Sequence, residues 1–261
     1  MMAGYEFCQV EHDGNITVIT IDRPEVYNAL HPPAHDELDA VLDAFAVDAD
    51  QWVAIITGAG DKAFSAGNDL KYQAEGGKRW NSPHGFGGIT SRFDLEKPVI
   101  AAVNGFAMGG GFEIALACDL IVAAESAVFA LPEPRVGLAA LAGGLQRLPR
   151  QIGSKRALGM ILTGRRVSAA EGESLGFVNE VVPDGEVLEA AKRWAMTICE
   201  CSPMSIRASK QVVLESLDIA DLAEAMDNMR YPAVKAMVAS EDFIEGPKAF
   251  AEKRPPRWTG R

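Results

Sequence analysis

Residues 97–138 carry the densest pattern in the chain and read KPVIAAVNGFAMGGGFEIALACDLIVAAESAVFALPEPRVGL. The apolar runs at 99–104 and 119–124 are rich in Val, Ile and Ala and are bounded by polar or turn-forming residues, which is typical of strands. Between them, Gly109–Gly111 permit a sharp turn that leads into a helix. The unpaired N–H groups at the start of that helix could hold an anion or a developing oxyanion. The same glycines also fit a tight strand-to-helix turn that binds no ligand.

Three further runs rich in Val and Ile, at residues 16–22, 52–57 and 177–182, also predict strands. Between the first two, residues 32–50 begin with two prolines, which suit a helix start, and repeat apolar side chains at helical spacing. The repeat consists of Leu38, Val41, Leu42 and Phe45. Because strand, helix and strand in this order indicate parallel pairing, the sequence predicts an α/β fold.

The pattern changes after about residue 185, where strand signals disappear. Amphipathic stretches predict helices at 186–200, 204–217, 219–239 and 246–254. We therefore expect residues 1–185 to form an α/β core with the active site, and residues 186–261 to form a helical region. Because several of these helices have apolar residues on more than one side, the region should pack on the core, on itself or on another subunit.

Composition excludes several classes of function. The 261 residues include 25 Lys and Arg against 36 Asp and Glu, and the net charge of −11 disfavours nonspecific binding to nucleic acid or to an anionic membrane. The N-terminus does not resemble a secretory leader and there is no apolar run of about 18 residues, so we expect a cytoplasmic protein. Four scattered Cys form no disulfide framework, and Cys199 and Cys201 lack the further ligands that a metal site needs. We expect no bound metal.

A second glycine-containing loop follows the strand predicted at 52–57. It reads GAGDKAFSAGNDLK (58–71) and presents backbone around Ala66, Gly67 and Asn68. In α/β folds, ligands gather where loops leave the carboxyl ends of strands. We therefore expect this loop to converge with the glycine cluster at 109–111.

Two glutamates flank the apolar segments of the opening stretch. Glu113 lies two residues past the glycine cluster, where the helix dipole stabilises a carboxylate and an oxyanion site would be close. Glu133 lies between Pro132 and Pro134, which restrict the local backbone. Both positions suit catalysis, but a dipole-complementing Glu and an exposed turn carboxylate explain them equally well from the residues alone.

Seven ordered segments resemble the enoyl-CoA hydratase/isomerase (crotonase) family, and together they span nearly the whole chain. They are RPEVYNAL (23–30), AFSAGNDLK (63–71), KPVIAAVNGFAMGGGFEIALACD (97–119), FALPEPRVGL (129–138), GGLQRLPRQIG (143–153), LTGRRVSAAEGESLGFVNEVV (162–182) and AFAEKRPPRW (249–258). The resemblance implies a spiral of strand-strand-helix repeats with a helical C-terminal region. It also implies a homotrimer or a dimer of trimers.

The same resemblance implies the chemistry of the site. The backbone N–H groups of Asn68 and Gly110 would form an oxyanion hole for a thioester carbonyl, where each donor is typically worth about 3–4 kcal/mol. Glu113 and Glu133 match the two catalytic glutamates of the hydratases in the family. Glu133 would supply the proton to the α carbon, while Glu113 would orient or deprotonate the water. Enoyl-CoA hydration, as a hydro-lyase, is therefore the expected activity.

Coenzyme A would be part of the substrate, so no separate cofactor is expected. By resemblance, residues at both ends of the chain would bind the CoA or acyl portion: Ala29, Ala66, Asp69, Leu70, Lys71, Phe250 and Lys253. Phe250 and Lys253 resemble C-terminal positions that approach the adenine or phosphates, in some relatives from a neighbouring subunit. A solvated cation is the plain alternative for Lys253, because it lies in an EKR run.

Several related activities stay open. FALPE, GRR, SEDFIEGPKAFAEKR (240–254) and the terminal W-x-G-R resemble carnitinyl-CoA dehydratases. Tyr72, Trp80 and Phe86 lie where the acyl tail is expected, although ordinary packing also explains them. Dienoyl-CoA isomerases of the family carry an aspartate where this chain has Leu141, which disfavours that activity. Simple enoyl-CoA isomerases typically lack one of the two glutamates. A catalytically silent scaffold or RNA-binding relative is the alternative of a different class.

Overall fold

The structure, a computed structural model, describes residues 4–77 and 82–261. Its strands are β1 (Cys8–Asp13), β2 (Ile16–Ile21), β3 (Val53–Gly58), β4 (Ala63–Ser65), β5 (Val99–Val103), β6 (Phe106–Met108), β7 (Leu120–Ala124), β8 (Val128–Ala130), β9 (Val167–Ser168) and β10 (Glu180–Val182). They form a larger sheet of order β1-β2-β3-β5-β7-β10 and a smaller one of order β4-β6-β8-β9. The strands predicted at 16–22, 52–57, 99–104 and 119–124 are confirmed to within about a residue, and the fifth is shorter than predicted.

Helices connect and cover these sheets. They are α1 (Pro32–Val47), α2 (Leu70–Ala74), α3 (Gly110–Ala117), α4 (Gly144–Ile152), α5 (Ser154–Thr163), α6 (Ala169–Leu175), α7 (Val187–Cys199), α8 (Pro203–Ser216), α9 (Leu222–Ala225), α10 (Pro232–Val238) and α11 (Glu241–Ala251). Short 3₁₀ helices occur at Pro24–Val26, Phe86–Gly88, Glu133–Val136 and Asn228–Arg230. None of the helices in the described ranges combines the length and apolar character needed to span a bilayer.

The larger sheet forms the centre of the core. Within this sheet, β1 pairs antiparallel with β2, whereas β2, β3, β5, β7 and β10 are parallel neighbours. Strands β3 and β5 are buried along their whole length, as is usual for parallel strands that are covered on both faces. Helix α7 packs against β3, β5 and β7, while α3 packs against β4, β5 and β6. The mixed α/β class predicted from the sequence is confirmed.

The smaller sheet places the loops that matter for function. Each of β3-β4, β5-β6 and β7-β8 sends its first strand to the larger sheet and its second to the smaller one, which is the spiral repeat that the resemblance implies. Because β4, β6 and β8 are parallel, their carboxyl ends meet at one edge. The segments that leave this edge are Ala66–Asp69, the glycine cluster with Glu113, and Leu131–Glu133.

The C-terminal helices depart from the prediction in one place. The stretch 219–239 was expected to be a single helix, but it divides into α9, a 3₁₀ turn and α10. Pro232 explains the break. Proline has no backbone N–H to donate within a helix, but it fits the first position of a new helix, where that N–H would have no partner. Helix α7 contributes Val187, Ala190, Ala191 and Ala195 to the main core. The division of the chain at residue 185 stays a prediction.

Candidate active site

The loop after β4 and the turn after β6 touch each other at Gly67. This glycine has φ +86°, and a Cβ there would lie 2.6 Å from the carbonyl oxygen of Met108 and 2.8 Å from the backbone nitrogen of Gly110. Only glycine fits such a position without strain. The same loop is also bonded to Leu30. The N–H of Leu30 donates to the carbonyl of Gly67 at 2.7 Å, and the N–H of Asp69 donates to the carbonyl of Leu30 at 2.9 Å. These bonds fix the backbone on both sides of Asn68.

Two backbone amides are left available by this arrangement. Gly110 is the first residue of α3, where an N–H group has no partner within the helix. The N–H groups of Asn68 and Gly110 donate to no residue in the described parts of the chain. Gly111 lets the two loops close, since a Cβ there would lie 2.1 Å from the carbonyl oxygen of Ser65. The structure thus places close together the two loops whose amides, by the family resemblance, would form an oxyanion hole.

Glu113 lies in the first turn of α3 and is only 4% exposed. Its Oε1 accepts a hydrogen bond from the N–H of Gly144 at 2.8 Å. Burial raises the pKa of Glu113 to about 7, and the negative charge of Glu133 acts in the same direction, while the bond from Gly144 opposes both. A carboxyl group with this pKa can accept or release a proton near neutral pH.

Glu133 approaches the same turn from the end of β8. It begins a 3₁₀ helix, and a Cβ at Gly109 would lie 2.9 Å from its Oε1. Its Oε2 is buried and has no hydrogen-bond partner in the described structure. Burial raises the pKa of this carboxyl above its ordinary value. Two carboxyls of raised pKa therefore lie beside the Gly109–Gly110 turn, next to two free amides, and this arrangement can move protons at a polarised carbonyl compound.

Comparison with known proteins identifies the family of this fold and site. The sequence profile described as Enoyl-CoA hydratase/isomerase matches residues 11–261. The chain belongs to the enoyl-CoA hydratase/isomerase family. The resemblance inferred from the seven motif segments is thereby confirmed.

Individual relatives fall into two named groups. A carnitinyl-CoA dehydratase of Escherichia coli (strain K12) is 44% identical, with 98% of this chain and 99% of the relative covered, and one of Salmonella typhi is 43% identical with the same coverage. Among solved structures, an enoyl-CoA hydratase from Mycobacterium tuberculosis H37Rv has a TM-score of 0.92 at 39% identity, covering 98% of this chain and 99% of that one. A carnitinyl-CoA hydratase from Mycobacterium avium has a TM-score of 0.78 at 43% identity and the same coverage.

The residues assigned to CoA by family resemblance fall into two groups. Ala29, Ala66, Asp69, Leu70 and Lys71 lie around the Asn68 amide, within the 23–30 and 63–71 segments. Asp69 has a structural task as well: its Oδ1 accepts from the N–H of Tyr72 at 3.1 Å and its Oδ2 pairs with Arg23 at 3.2 Å. Arg23 also donates to the carbonyl of Ala29. Lys71 is exposed, so its ammonium is available to a phosphate.

The C-terminal pair lies elsewhere on the chain. Phe250 is in the last turn of α11 and is 88% exposed, and Lys253 follows with a left-handed φ of 53°. Among the described residues, no hydrogen bond or ion pair joins either of them to Glu113 or Glu133. Their contact with CoA stays a prediction, and an exposed aromatic ring at this place fits the expectation that it serves a neighbouring subunit.

Two of the three aromatic candidates for the acyl pocket can be located. A Cβ at Gly110 would lie 2.5 Å from the ring of Phe86, so this ring packs directly against the turn with the free amide. Phe86 also makes an edge contact with the buried His35, with ring centroids 4.4 Å apart. Tyr72 instead faces His31, with centroids 5.6 Å apart. Trp80 lies outside the described residues. Among the candidates that the structure describes, Phe86 is therefore the aromatic side chain that lines the site.

An ion-pair cluster holds the segment of Phe86 in place. Arg92 is buried and pairs with Asp39 and Asp43 of α1, and His84 lies 2.6 Å from Asp39. The carboxylates of Asp39 and Asp43 and the imidazole of His84 are close enough together to suggest a cation site. The guanidinium of Arg92 already occupies the space between the carboxylates, so this cluster has the character of a structural clamp between α1 and the segment after Phe86.

Sequence reasoning missed the start of α4 as part of the site. Gly144 supplies the N–H that binds Glu113, and a Cβ at Gly144 would lie 3.0 Å from that carboxylate. The signal was the glycine pair Gly143–Gly144 at the head of an amphipathic stretch, which resembles the arrangement at 109–111.

Proposed function

We propose that the protein is an enoyl-CoA hydratase, a hydro-lyase that reversibly adds water across the α,β double bond of an acyl-CoA thioester. The observation that carries the proposal is the pairing of Glu113 and Glu133, both with raised pKa, beside the free amides of Asn68 and Gly110. Family membership and the names of the relatives support the same class of reaction.

The proposed reaction follows from this geometry. The thioester oxygen accepts hydrogen bonds from Asn68 and Gly110, which stabilises the negative charge that develops there as the hydroxyl adds. Glu113 takes a proton from water while the oxygen bonds to the β carbon, and the electron pair of the double bond moves towards the α carbon. Glu133, in its acid form, delivers a proton to the α carbon. Proton exchange between the two carboxyls then restores the starting state, and the product has gained one water.

Dehydration of a carnitinyl-type thioester is the second candidate. It is favoured by 43–44% identity to carnitinyl-CoA dehydratases over 98% of the chain. The reaction class and the site are the same, and the difference lies in a γ-trimethylammonium group on the acyl tail. Phe86 is the described aromatic ring against the Gly110 turn, and one ring provides only part of an aromatic cage.

A panel of enoyl-CoA thioesters in ¹⁸O-labelled water tests the proposal. Gain of one labelled water by crotonyl-CoA and its short straight-chain relatives is expected for the general hydratase. Gain only by the γ-trimethylammonium crotonyl thioester would select the second candidate. No mass gain by any thioester, together with an RNA gel shift, would instead favour the silent RNA-binding relative and overturn both.

Glu133→Gln separates catalysis from scaffolding. Because the variant cannot protonate the α carbon, its kcat should fall by about 100-fold or more. Glu125→Gln is the matched control, since Glu125 is exposed after β7 and its rate should equal that of the parent. An unchanged rate in folded Glu133→Gln would refute the assigned role.

We also infer assembly as a homotrimer or a dimer of trimers. The support is the set of exposed apolar side chains on the C-terminal helices, which a monomer would leave in water. They include Leu217, Leu222, Met226, Ile244 and Phe250. The native mass measured by light scattering should be three or six times the 27.9 kDa of one chain.

A further inference from the structure

Arg147 approaches the glycine pair that binds Glu113, although the proposed reaction does not use it. It is in the first turn of α4, where its N–H donates to the carbonyl of Gly143 at 2.8 Å. Its side chain folds back over the helix start, so that a Cβ at Gly143 would lie 2.2 Å from Nη1. Gly143 has φ +105°, and only glycine leaves room there for the guanidinium.

The adjacent residue connects this guanidinium to the catalytic carboxylate. Gly144 donates its N–H to Oε1 of Glu113 at 2.8 Å, so Arg147 contacts residue 143 while Glu113 contacts residue 144. The two charged groups thus approach the same glycine pair. Their electrostatic interaction lowers the pKa of Glu113 against the upward effect of burial.

Arg147 differs from the other half-buried or buried arginines near the site. Arg23 pairs with Asp69, and Arg92 pairs with Asp39 and Asp43. The Arg147 side chain makes no hydrogen bond or ion pair with another residue in the described ranges, and its guanidinium carbon lies 5.6 Å from the ring centroid of Phe93. Because no carboxylate in the described ranges neutralises this guanidinium, its positive charge can stabilise other nearby negative groups.

Few other charges face Glu113. The neighbouring elements β4, β5 and β6 and the 3₁₀ turn Phe86–Gly88 contain no charged residue. The 3₁₀ turn after β8 contributes Glu133, whose negative charge favours the neutral form of Glu113. Cys118, at the end of α3, interacts with Arg147 only as a buried thiol, whose pKa burial raises well above its usual range. Among the described residues, Arg147 is the cation that acts together with the backbone N–H groups of Gly144 and Ala142 to oppose burial and Glu133.

We propose that Arg147 is a positioning residue that favours the ionised form of Glu113, the form that accepts a proton from water, near neutral pH. The role deepens the proposed hydration and rests on it. Loss of the guanidinium removes the nearby positive charge, so the ionised form of Glu113 becomes less favourable and its titration moves to higher pH.

The test measures the titration of Glu113 directly, without turnover. Protein labelled with ¹³C at the glutamate carboxyl is followed by NMR against pH, and the Glu113 signal is assigned by its absence in Glu113→Gln. In Arg147→Gln the midpoint should rise by about half a pH unit or more, roughly threefold in the ionisation constant. In Arg147→Lys, which keeps a positive charge, the midpoint should return most of the way to the parent value. Arg150→Gln is the matched control, since Arg150 is exposed on the same helix and binds the carbonyl of Gln146.

The acid limb of kcat/KM for crotonyl-CoA should move in the same direction in Arg147→Gln, with the rate recovering at higher pH. A midpoint equal to that of the parent in folded Arg147→Gln would overturn the proposal. Should Arg147→Gln fail to fold, Arg147→Met retains the aliphatic packing and decides the same question. If no thioester is hydrated by the parent, the proposed function fails, whereas the NMR midpoint still determines whether Arg147 controls Glu113.

Discussion

Among single residues, Glu113 shows how burial raises the pKa of a carboxyl group into the range where it can transfer protons at neutral pH. Its carboxyl is removed from water, and the backbone N–H groups of Gly144 and Ala142 compensate only partly for the lost hydration. The pKa of about 7 follows from this imbalance and from the charge of Glu133. A group that is poised for proton transfer at neutral pH is therefore also a group whose ionised form weakens the fold.

Replacing Glu113 with Gln should make the protein relatively more stable as the pH rises. The pKa of Glu113 is raised in the folded state from an ordinary value of 4.5 to about 7, so its stabilising effect is present below pH 4.5 and is lost as the pH rises through about 7. Between pH 4.5 and 8 the parent should therefore lose about 3 kcal/mol of free energy of unfolding that Glu113→Gln does not lose. Denaturant titrations at both pH values measure it, with Glu125→Gln as the control. A difference that is the same at both pH values would contradict this account.

Among the elements, the strands of the smaller sheet determine where the site forms, and their sequences are the least informative. The longer strands and α1 could be predicted because their apolar residues repeat over five or more positions. The three-residue strands β4, β6 and β8 are too short for any periodicity, although the loops after them were recognised from Gly67 and Gly109–Gly111. The contact of Gly144 with Glu113 joins residues 31 apart in sequence, and no local pattern encodes it. The paired roles of the glutamates came from resemblance, since spacing alone left both unassigned.

The close approach of the two loops can be tested at Gly67. Gly67→Ala places a Cβ against Met108 and the Gly110 amide, which should displace the loop and reduce kcat by about 100-fold, as for loss of one oxyanion donor. Gly185→Ala is the matched control, because Gly185 has nearly the same φ, +87° against +86°, with nothing within 4 Å of the added Cβ. Backbone strain alone should then cost about 1–2 kcal/mol of stability in both variants. Equal activities in the two variants would show that crowding at Gly67 is unimportant.

For the molecule as a whole, the negative net charge bears on how CoA could bind and on the role of the C-terminal helices. A net charge of −11 repels the phosphates of CoA at long range, so binding needs local cations and apolar contacts. Lys71 is exposed near the Asn68 loop, and Lys253 follows the exposed ring of Phe250. We expect the C-terminal region to complete the CoA site, within the homotrimer or dimer of trimers that we infer.

Phe250→Ala should therefore raise KM for crotonyl-CoA by about 10-fold while leaving kcat within about twofold, because an adenine contact far from the reacting bond stabilises ground and transition states alike. Val47→Ala is the control, since Val47 is nearly as exposed, at 84% against 88% for Phe250, and lies at the end of α1, outside the C-terminal helices. Light scattering distinguishes the two ways in which Phe250 can act. A raised KM with the native mass unchanged supports direct contact with CoA, whereas a raised KM that accompanies dissociation shows that Phe250 holds the subunits together. If both KM and mass stay at the parent values, the exposed ring of Phe250 serves neither purpose.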